Sequence, residues 1–349
     1  MIRRIHFSRG VFLAILGAVT VLGAGSARAA GARPVVFDTD ICDDIDDTWA
    51  LAVLLQSPEL DCKLITTAVG DTEAKARVVA KFLDRVGRAD IPVGIGIKQS
   101  GGPHQQVAWA RDYDVASYPG KIHKEGVQAL IDTIMSSPAR LTLIAVGPLP
   151  NIREALKREP RIAEKADFIG MHGSVFVGYG GREKPDAEYN VKQDVAAAQK
   201  VFTAPWPMTI TPLDTCGLIN LGGEKYQRIL KTDSVITRNL LENYRQWFKD
   251  GFRDRNNLSE SDVAREVDGK LNSSSTTLFD TVAVYLAVSH DLAEMKEVPI
   301  RITDEGFTRV ENGAKRVNCA VKWKDLDGYE NWLVERLTSD QKSKIKNQK

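Results

Sequence analysis

The chain carries no internal repeat, no low-complexity tract and no long Pro/Gly/Ser linker, which excludes a solenoid and gives no obvious place for a domain boundary. Cysteine is scarce. Cys42, Cys62, Cys216 and Cys319 are the only four, and their spacing matches no zinc pattern. They read as small buried residues, although Cys42 and Cys216 lie beside acidic loops. An excess of positive charge is also missing. The net charge is +1, and it falls to −3 once the first 29 residues, with four Arg and no acid, are removed. Nothing in that balance favours nucleic acid or an anionic membrane surface. The longest apolar stretch, Val11–Leu22, is shorter than the roughly 20 residues that a membrane span needs.

That stretch has a different reading. Arg3, Arg4 and Arg9 precede it, and Ala27-Arg28-Ala29 follows as a small-x-small cleavage site. The pattern predicts a secretory signal over residues 1–29, and hence an exported protein, periplasmic or extracellular, with no stable membrane association after cleavage. About 320 residues remain, read as one domain over 30–349 with its core at 34–335.

What is present is an unusual density of acid. Asp38, Asp40, Asp43, Asp44, Asp46 and Asp47 place six carboxylates within ten residues. They follow the apolar run Val35-Val36-Phe37, a buried strand by its composition, and precede Thr48–Leu55, a helix. The acids therefore fall on the turn at the carboxyl end of a strand, where open α/β sheets place their ligands. Carboxylates this close repel one another, so either several hold protons or a cation sits among them. A hard, oxygen-preferring ion such as Ca2+ suits the set.

Along the rest of the chain, strand-like runs at Lys63–Val69, Ile91–Ile95, Leu141–Val146, Phe168–Met171 and Met208–Thr211 alternate with helical patterns. Those helices are expected over Glu73–Val86, Gly126–Met135, Asn151–Lys157, Val191–Phe202, Ser234–Gly251 and Ser275–Ser289. Such alternation predicts an α/β fold, a doubly wound, mostly parallel central sheet with helices on both faces. Two further segments stand out. Asp186–Asn190 precedes a helix, where Glu188 and Asn190 could serve as caps, and Asp280 interrupts the apolar run Leu278–Val288, either as a helix cap or as an inward-facing carboxylate.

Taken in order, these residues resemble the inosine–uridine-type nucleoside hydrolases, the Ca2+-dependent N-ribohydrolases. The resemblance rests on Asp38-Thr39-Asp40 with Asp46-Asp47-Thr48-Trp49-Ala50-Leu51, then on Thr66–Gly70, Gly147–Ile152, Glu159–Ile162, Ala187–Asn190 and Leu213-Asp214. It runs from about residue 34 to 335, and the acidic spacing is two residues longer than in the best-known members. It implies an N-glycosyl hydrolase acting on a ribonucleoside or related riboside, and a homo-oligomer. By the same resemblance the metal would sit on Asp40, Asp47, the backbone carbonyl of Val146 and Asp280. Asp46, Glu188 and Asn190 would contact the ribose, Asp40 would be the base that activates a water on the metal, and Asp38 would support the loop from below. Nothing transfers to Asp43 and Asp44.

The chain departs from that family at the end of the site that meets the leaving group. Phe279 stands where many relatives carry a His, and Asp71 where they carry an Asn. Candidate acids are then His104, His123 and His172; Trp109, Tyr113 and Tyr179 are candidate stacking partners; and 101–118 is a candidate flap. Two other readings compete. Val36–Asp40 also resembles the opening of haloacid-dehalogenase-type phosphatases, although no downstream Gly-Asp-x-x-x-Asp follows. A non-catalytic binding protein with a retained Ca2+–ribose pocket is the other.

Overall fold

A computed structural model describes residues 31–99, 105–256 and 259–339. The expected signal (1–29), His104 and the basic tail 342–349 lie outside the described residues. Ten strands form one sheet: β1 Arg33–Thr39, β2 Leu60–Thr67, β3 Val93–Ile95, β4 Ile122–His123, β5 Leu141–Ala145, β6 Ala166–Met171, β7 Met208–Thr211, β8 Ala293–Ile302, β9 Thr308–Val310 and β10 Arg316–Trp323. Their spatial order is β4-β3-β2-β1-β5-β6-β7-β10-β8-β9. From β4 to β10 every neighbouring pair is parallel, and β8 and β9 close the far edge antiparallel.

The strand order sets the position of the site. After β1 the chain winds outward through β2, β3 and β4, then returns to place β5 on the other side of β1 and continues through β6 and β7. The order reverses between β1 and β5, so the loops leaving these two strands diverge and open a crevice at their carboxyl ends.

The helices are α1 Asp46–Leu55, α2 Thr72–Arg85, α3 Gly126–Ser136, α4 Pro150–Arg158, α5 Ile162–Lys165, α6 Tyr189–Gln193, α7 Val195–Thr203, α8 Leu213–Cys216, α9 Gly223–Leu230, α10 Val235–Asn256, α11 Glu260–Leu271, α12 Thr281–Val288 and α13 Leu326–Thr338. They cover both faces because successive strand residues point opposite ways. Val35 and Phe37 of β1 enter one core with Trp49, Leu51 and Val282, whereas Val36 enters the other with Leu143, Ile152 and Phe202. Helices α1 and α12 pack together. All ten residues of α1 are buried, and α12 is apolar nearly all round. A helix without a polar face is stable only when enclosed, and these two form the wall beneath the crevice.

Several expected elements differ in their bounds, three of them for a visible reason. The helix expected over Ser275–Ser289 begins only at Thr281. Before it, Ser275 N donates to Leu221 O and Leu278 N to Ile219 O, both at 2.9 Å, so the main chain is engaged with the segment before α9. The helix expected over Val191–Phe202 is broken at Asp194, whose φ of −143° is extended and whose side chain caps α7 through Ala197 N. Strand β2 stops at Thr67 rather than Val69, because Val69 turns to a φ of +61°, an unfavourable region for a β-branched residue.

Candidate active site

The acidic turn is built by its own backbone. Val146 N donates to Asp38 O at 2.9 Å, tying the end of β1 to the residue after β5. Beneath it, Asp38 accepts from Thr66 Oγ1 and from Asn151 Nδ2. Burial pushes the Asp38 carboxyl up to about 6 against the pull of those two bonds. Thr39 Oγ1 donates to Asp47 and accepts from Ile41 N at 3.1 Å. Cys42 then adopts a φ of +82°, reversing the chain so that Asp46 and Asp47 open α1.

From the far end of the sequence, Asp280 arrives at the N-cap position of α12. Its backbone N donates to Asp46 Oδ2 at 3.2 Å, but its side chain makes no capping bond. Instead carboxylate oxygens of Asp46, Asp47 and Asp280 all lie within 4.8 Å of one another. Asp40 lines the same cavity, together with Asp43, Asp44, the carbonyl-bearing Val146, Glu188 and Asn190. The cavity holds about 320 Å³.

Glu188 both caps and lines. Its carboxylate accepts from Asn190 N at 2.7 Å, Gly173 N at 2.9 Å and Val191 N at 3.2 Å. Burial nevertheless pushes it up to about 7. Asn190 donates from Nδ2 to the carbonyls of Val146 and Met171, which leaves its side-chain oxygen for another partner.

Burial raises Asp40, Asp46, Asp47 and Asp280 well above the usual carboxylate range, and repulsion from neighbouring carboxylates, Asp43 and Asp44 among them, raises each further. Such a set lowers its free energy most by gaining a cation. The donors are all oxygens: carboxylates and a main-chain carbonyl. Among the described residues no His or Cys lines the cavity, so the donors fit a hard ion such as Ca2+ or Mg2+ better than zinc.

Not every expected site residue comes to this cavity. Asp71 is instead the N-cap of α2 and accepts from Ala74 N at 3.1 Å. Trp109 lies under Lys81 and Arg85 and donates from Nε1 to Glu242 at 3.1 Å, so it packs onto α2 and α10. Tyr113, bonded to Asp84, docks on α2 in the same way. The described part of the expected flap is thus held against helices rather than over the cavity. His172 is buried between Phe168 and Phe202 with Nε2 on Gly147 O at 3.0 Å, and burial lowers its pKa to about 4, so it stays a neutral packing residue. His123 lies on β4 and does not line the cavity.

Sequence reasoning missed Met171, Tyr189 and Lys75. Met171 ends β6 and Tyr189 opens α6, beside residues already singled out. Lys75 left a readable signal: it falls in register with Val79, Phe82 and Val86, on the apolar stripe of α2, where a lysine needs a buried partner.

The family model described as "Inosine-uridine preferring nucleoside hydrolase" matches residues 35–332. The chain is 30% identical over 244 residues to the pyrimidine-specific ribonucleoside hydrolase RihA of Citrobacter koseri, covering 63% of this chain and 73% of that protein. It is 26% identical to uridine nucleosidase 1 of Arabidopsis thaliana, covering 83% and 85%, and 31% identical to the inosine-uridine preferring nucleoside hydrolase of Leishmania major, covering 52% and 60%. Among solved structures, a plant nucleoside hydrolase superposes with a TM-score of 0.71 at 22% identity, covering 88% of this chain and 99% of its own. A purine-preferring ribonucleoside hydrolase from Gardnerella vaginalis superposes with a TM-score of 0.68 at 21% identity, covering 88% and 98%.

Proposed function

This chain belongs to the inosine–uridine preferring nucleoside hydrolase family, and from that we propose that it is an exported, Ca2+-dependent hydrolase of the N-glycosidic bond of a ribonucleoside or related riboside. The observation that carries the reading is the convergence of Asp40, Asp46, Asp47, Glu188, Asn190 and Asp280 on one cavity at the sheet's switch point. The family match over residues 35–332 supports this reading over a phosphatase of the dehalogenase type.

Asp40, Asp47, Asp280 and the Val146 carbonyl are the groups assigned to the ion, and Asp46 is close enough to Asp47 and Asp280 to join them. When bound, Ca2+ would orient water and sugar hydroxyls in one frame and lower the water's pKa. Asp40 takes the proton from the attacking water. Glu188, fixed by three backbone N–H groups, and the side-chain oxygen of Asn190 hold ribose hydroxyls. As the bond to the aglycone stretches, positive charge grows at C1′ and the ring oxygen. The surrounding carboxylates stabilise that charge more than they stabilise the neutral sugar, and this difference lowers the barrier.

The test is a screen of ribosides with free ribose as readout. Release from at least one, abolished by a chelator and restored by Ca2+, is the expected result. A bound riboside with no ribose released from any candidate overturns the enzyme reading in favour of a binding protein. For export, the mature protein is expected to begin at Ala30; an intact Met1 on the secreted or cell-associated product would remove that part of the reading.

A further inference from the structure

Asp214 belongs to the sequence motif Leu213-Asp214, yet it does not line the cavity. It lies buried in the short helix α8, which packs on both α12 and the turn Tyr179–Gly181. Its carboxylate accepts from Phe176 N at 2.8 Å and from Val175 N at 2.9 Å. The adjacent Leu213 N donates to Gly173 O at 2.9 Å. Gly173, Gly178, Gly180 and Gly181 give this segment little intrinsic preference for one shape. The side chain of Phe176 is half exposed, so packing there adds little, and the segment takes its shape from these bonds.

The segment that Asp214 holds reaches the cavity in two places. Gly173 N, two residues before Val175, donates to Glu188 Oε2 at 2.9 Å. Further on, Asp186 N donates to Ser174 Oγ at 2.9 Å, and Asp186 Oδ2 accepts from Tyr179 N at 2.9 Å. Tyr179 lines the cavity, and its phenol oxygen accepts from the N–H of Tyr189, the residue after Glu188, at 3.0 Å. Of the three N–H groups on the Glu188 carboxylate, those of Asn190 and Val191 belong to its own turn and move with it. Gly173 N is the one that fixes it to another part of the chain.

We propose that Asp214 is a positioning residue for the ribose end of the site: by fastening 173–176 from behind, it sets the Gly173 N–H against Glu188 and, through Ser174 and Asp186, the place of Tyr179. The inference rests on the proposed function in one respect, that Glu188 meets ribose hydroxyls. A contact of that kind is made in the bound substrate and in the transition state alike, so misplacing Glu188 raises KM and leaves kcat nearly unchanged. Asp40, Asp47, Val146 and Asp280 stand on other segments, so ion binding stays as it is.

The experiment uses Asp214→Asn, which keeps the shape but turns an NH2 group toward one of the two N–H donors, and Asp214→Ala, which removes both acceptors. Asp214→Asn decides the matter if the Ala variant fails to fold. At saturating Ca2+, ribose is titrated calorimetrically and p-nitrophenyl riboside turnover is followed; amide hydrogen exchange is read residue by residue. Ribose affinity is expected to fall at least about five-fold in Asp214→Asn and further in Asp214→Ala, with KM rising in step and kcat within about two-fold of the parent. The amides of Gly173, Val175 and Phe176 should exchange at least about ten-fold faster, while Ca2+ affinity stays within about two-fold. Faster exchange at Val175 and Phe176 with Gly173 unchanged overturns the proposal, as does an unchanged ribose affinity and KM, or a parallel loss of ribose and Ca2+ binding; turnover by the parent then leaves the hydrolase reading standing. Weaker ribose binding and faster Gly173 exchange in the variants, with no nitrophenol released even by the parent, uphold the positioning role and sink the hydrolase reading instead.

Discussion

The ammonium group of Lys75 lies 2.8 Å from Asp43 Oδ1 and donates as well to the main-chain carbonyls of Asp40, at 2.8 Å, and Ala68, at 3.3 Å. The lysine side chain is fully buried. Burial works against its charge, but Asp40 and Asp43 outweigh that effect and raise its pKa. One helix, α2, thereby pins the two-residue extension of the acidic turn. Replacing Lys75→Met removes the ammonium from Asp43 and from the two carbonyls, and a loss of about 3–5 kcal/mol is expected in urea unfolding. Lys75→Met combined with Asp43→Leu should recover part of that loss, since both members of the buried pair are then removed together. A single-variant loss below about 1 kcal/mol would mean the pair is merely tolerated.

Gly147 follows Val146 at the end of β5, and a methyl group there would collide with the Asp40 carboxylate. The carboxylate can yield more easily than the main chain. Gly147→Ala is therefore expected to lower ribose release by at least about ten-fold through displacement of the base. Its thermal midpoint should fall only modestly. A variant that loses stability but keeps its rate would show that the position of Asp40 does not depend on this contact.

Asp40→Asn keeps the shape of the side chain but removes the proton acceptor. Turnover should drop by about a hundred- to ten-thousand-fold, in the range of a lost general base. Binding of a riboside at saturating Ca2+, followed by calorimetry, should change far less. A variant retaining more than about a tenth of the parent rate would assign the base elsewhere.

Four buried carboxylates raised by burial and by neighbouring acids should give up protons when a cation enters. Ca2+ binding heat is therefore expected to depend on the ionisation enthalpy of the buffer, and saturating Ca2+ should raise the thermal midpoint. Asp280→Asn should weaken Ca2+ binding by at least about ten-fold, since each ligand carboxylate both coordinates and neutralises. A midpoint indifferent to Ca2+ and to chelator would contradict the metal site.

In the cation-free protein, stability should fall as pH rises. Asp38 shifts from 3.8 to about 6 and Glu188 from 4.5 to about 7, both chiefly through burial. Between the lower and upper values the native state holds protons that the unfolded chain has released, so raising the pH favours unfolding. The contribution is present at the acid end of that window and is gone above about pH 7. Denaturant midpoints in chelator should therefore be higher near pH 5 than near pH 7.5, by on the order of 2–3 kcal/mol per group at most. Glu188→Gln should flatten the upper part of the curve.

The parts of this molecule legible in the sequence are those where apolar runs are unbroken. Strands β1, β5 and β7 are largely buried on both faces, and each is read from a short apolar run, Val35-Val36-Phe37, Leu141–Ala145 and Met208–Thr211. The antiparallel edge hid itself. In β8, Glu294, Lys296 and Glu297 lie at least partly open to solvent and dilute the pattern. The start of α12 was overextended because Ser275–Asp280 contains no helix breaker; only its pairing with Ile219 and Leu221 keeps it irregular. In the cavity, the acids at both ends of the chain were visible as acids out of place. Trp109 and His172 were not distinguishable from functional residues, because their fate depends on Lys81, Glu242, Phe168 and Gly147, partners that no local pattern reveals.

Asp46 and Asp280 meet although 234 positions separate them. A polypeptide still emerging from the ribosome, or clipped anywhere before α12, would possess the crowded acidic turn without the wall that completes it. Closing so long a loop is entropically slow, so this junction should be among the last to form. Capture of a cation would then reward only finished molecules, and resistance to proteolysis in its presence would mark those that had matured.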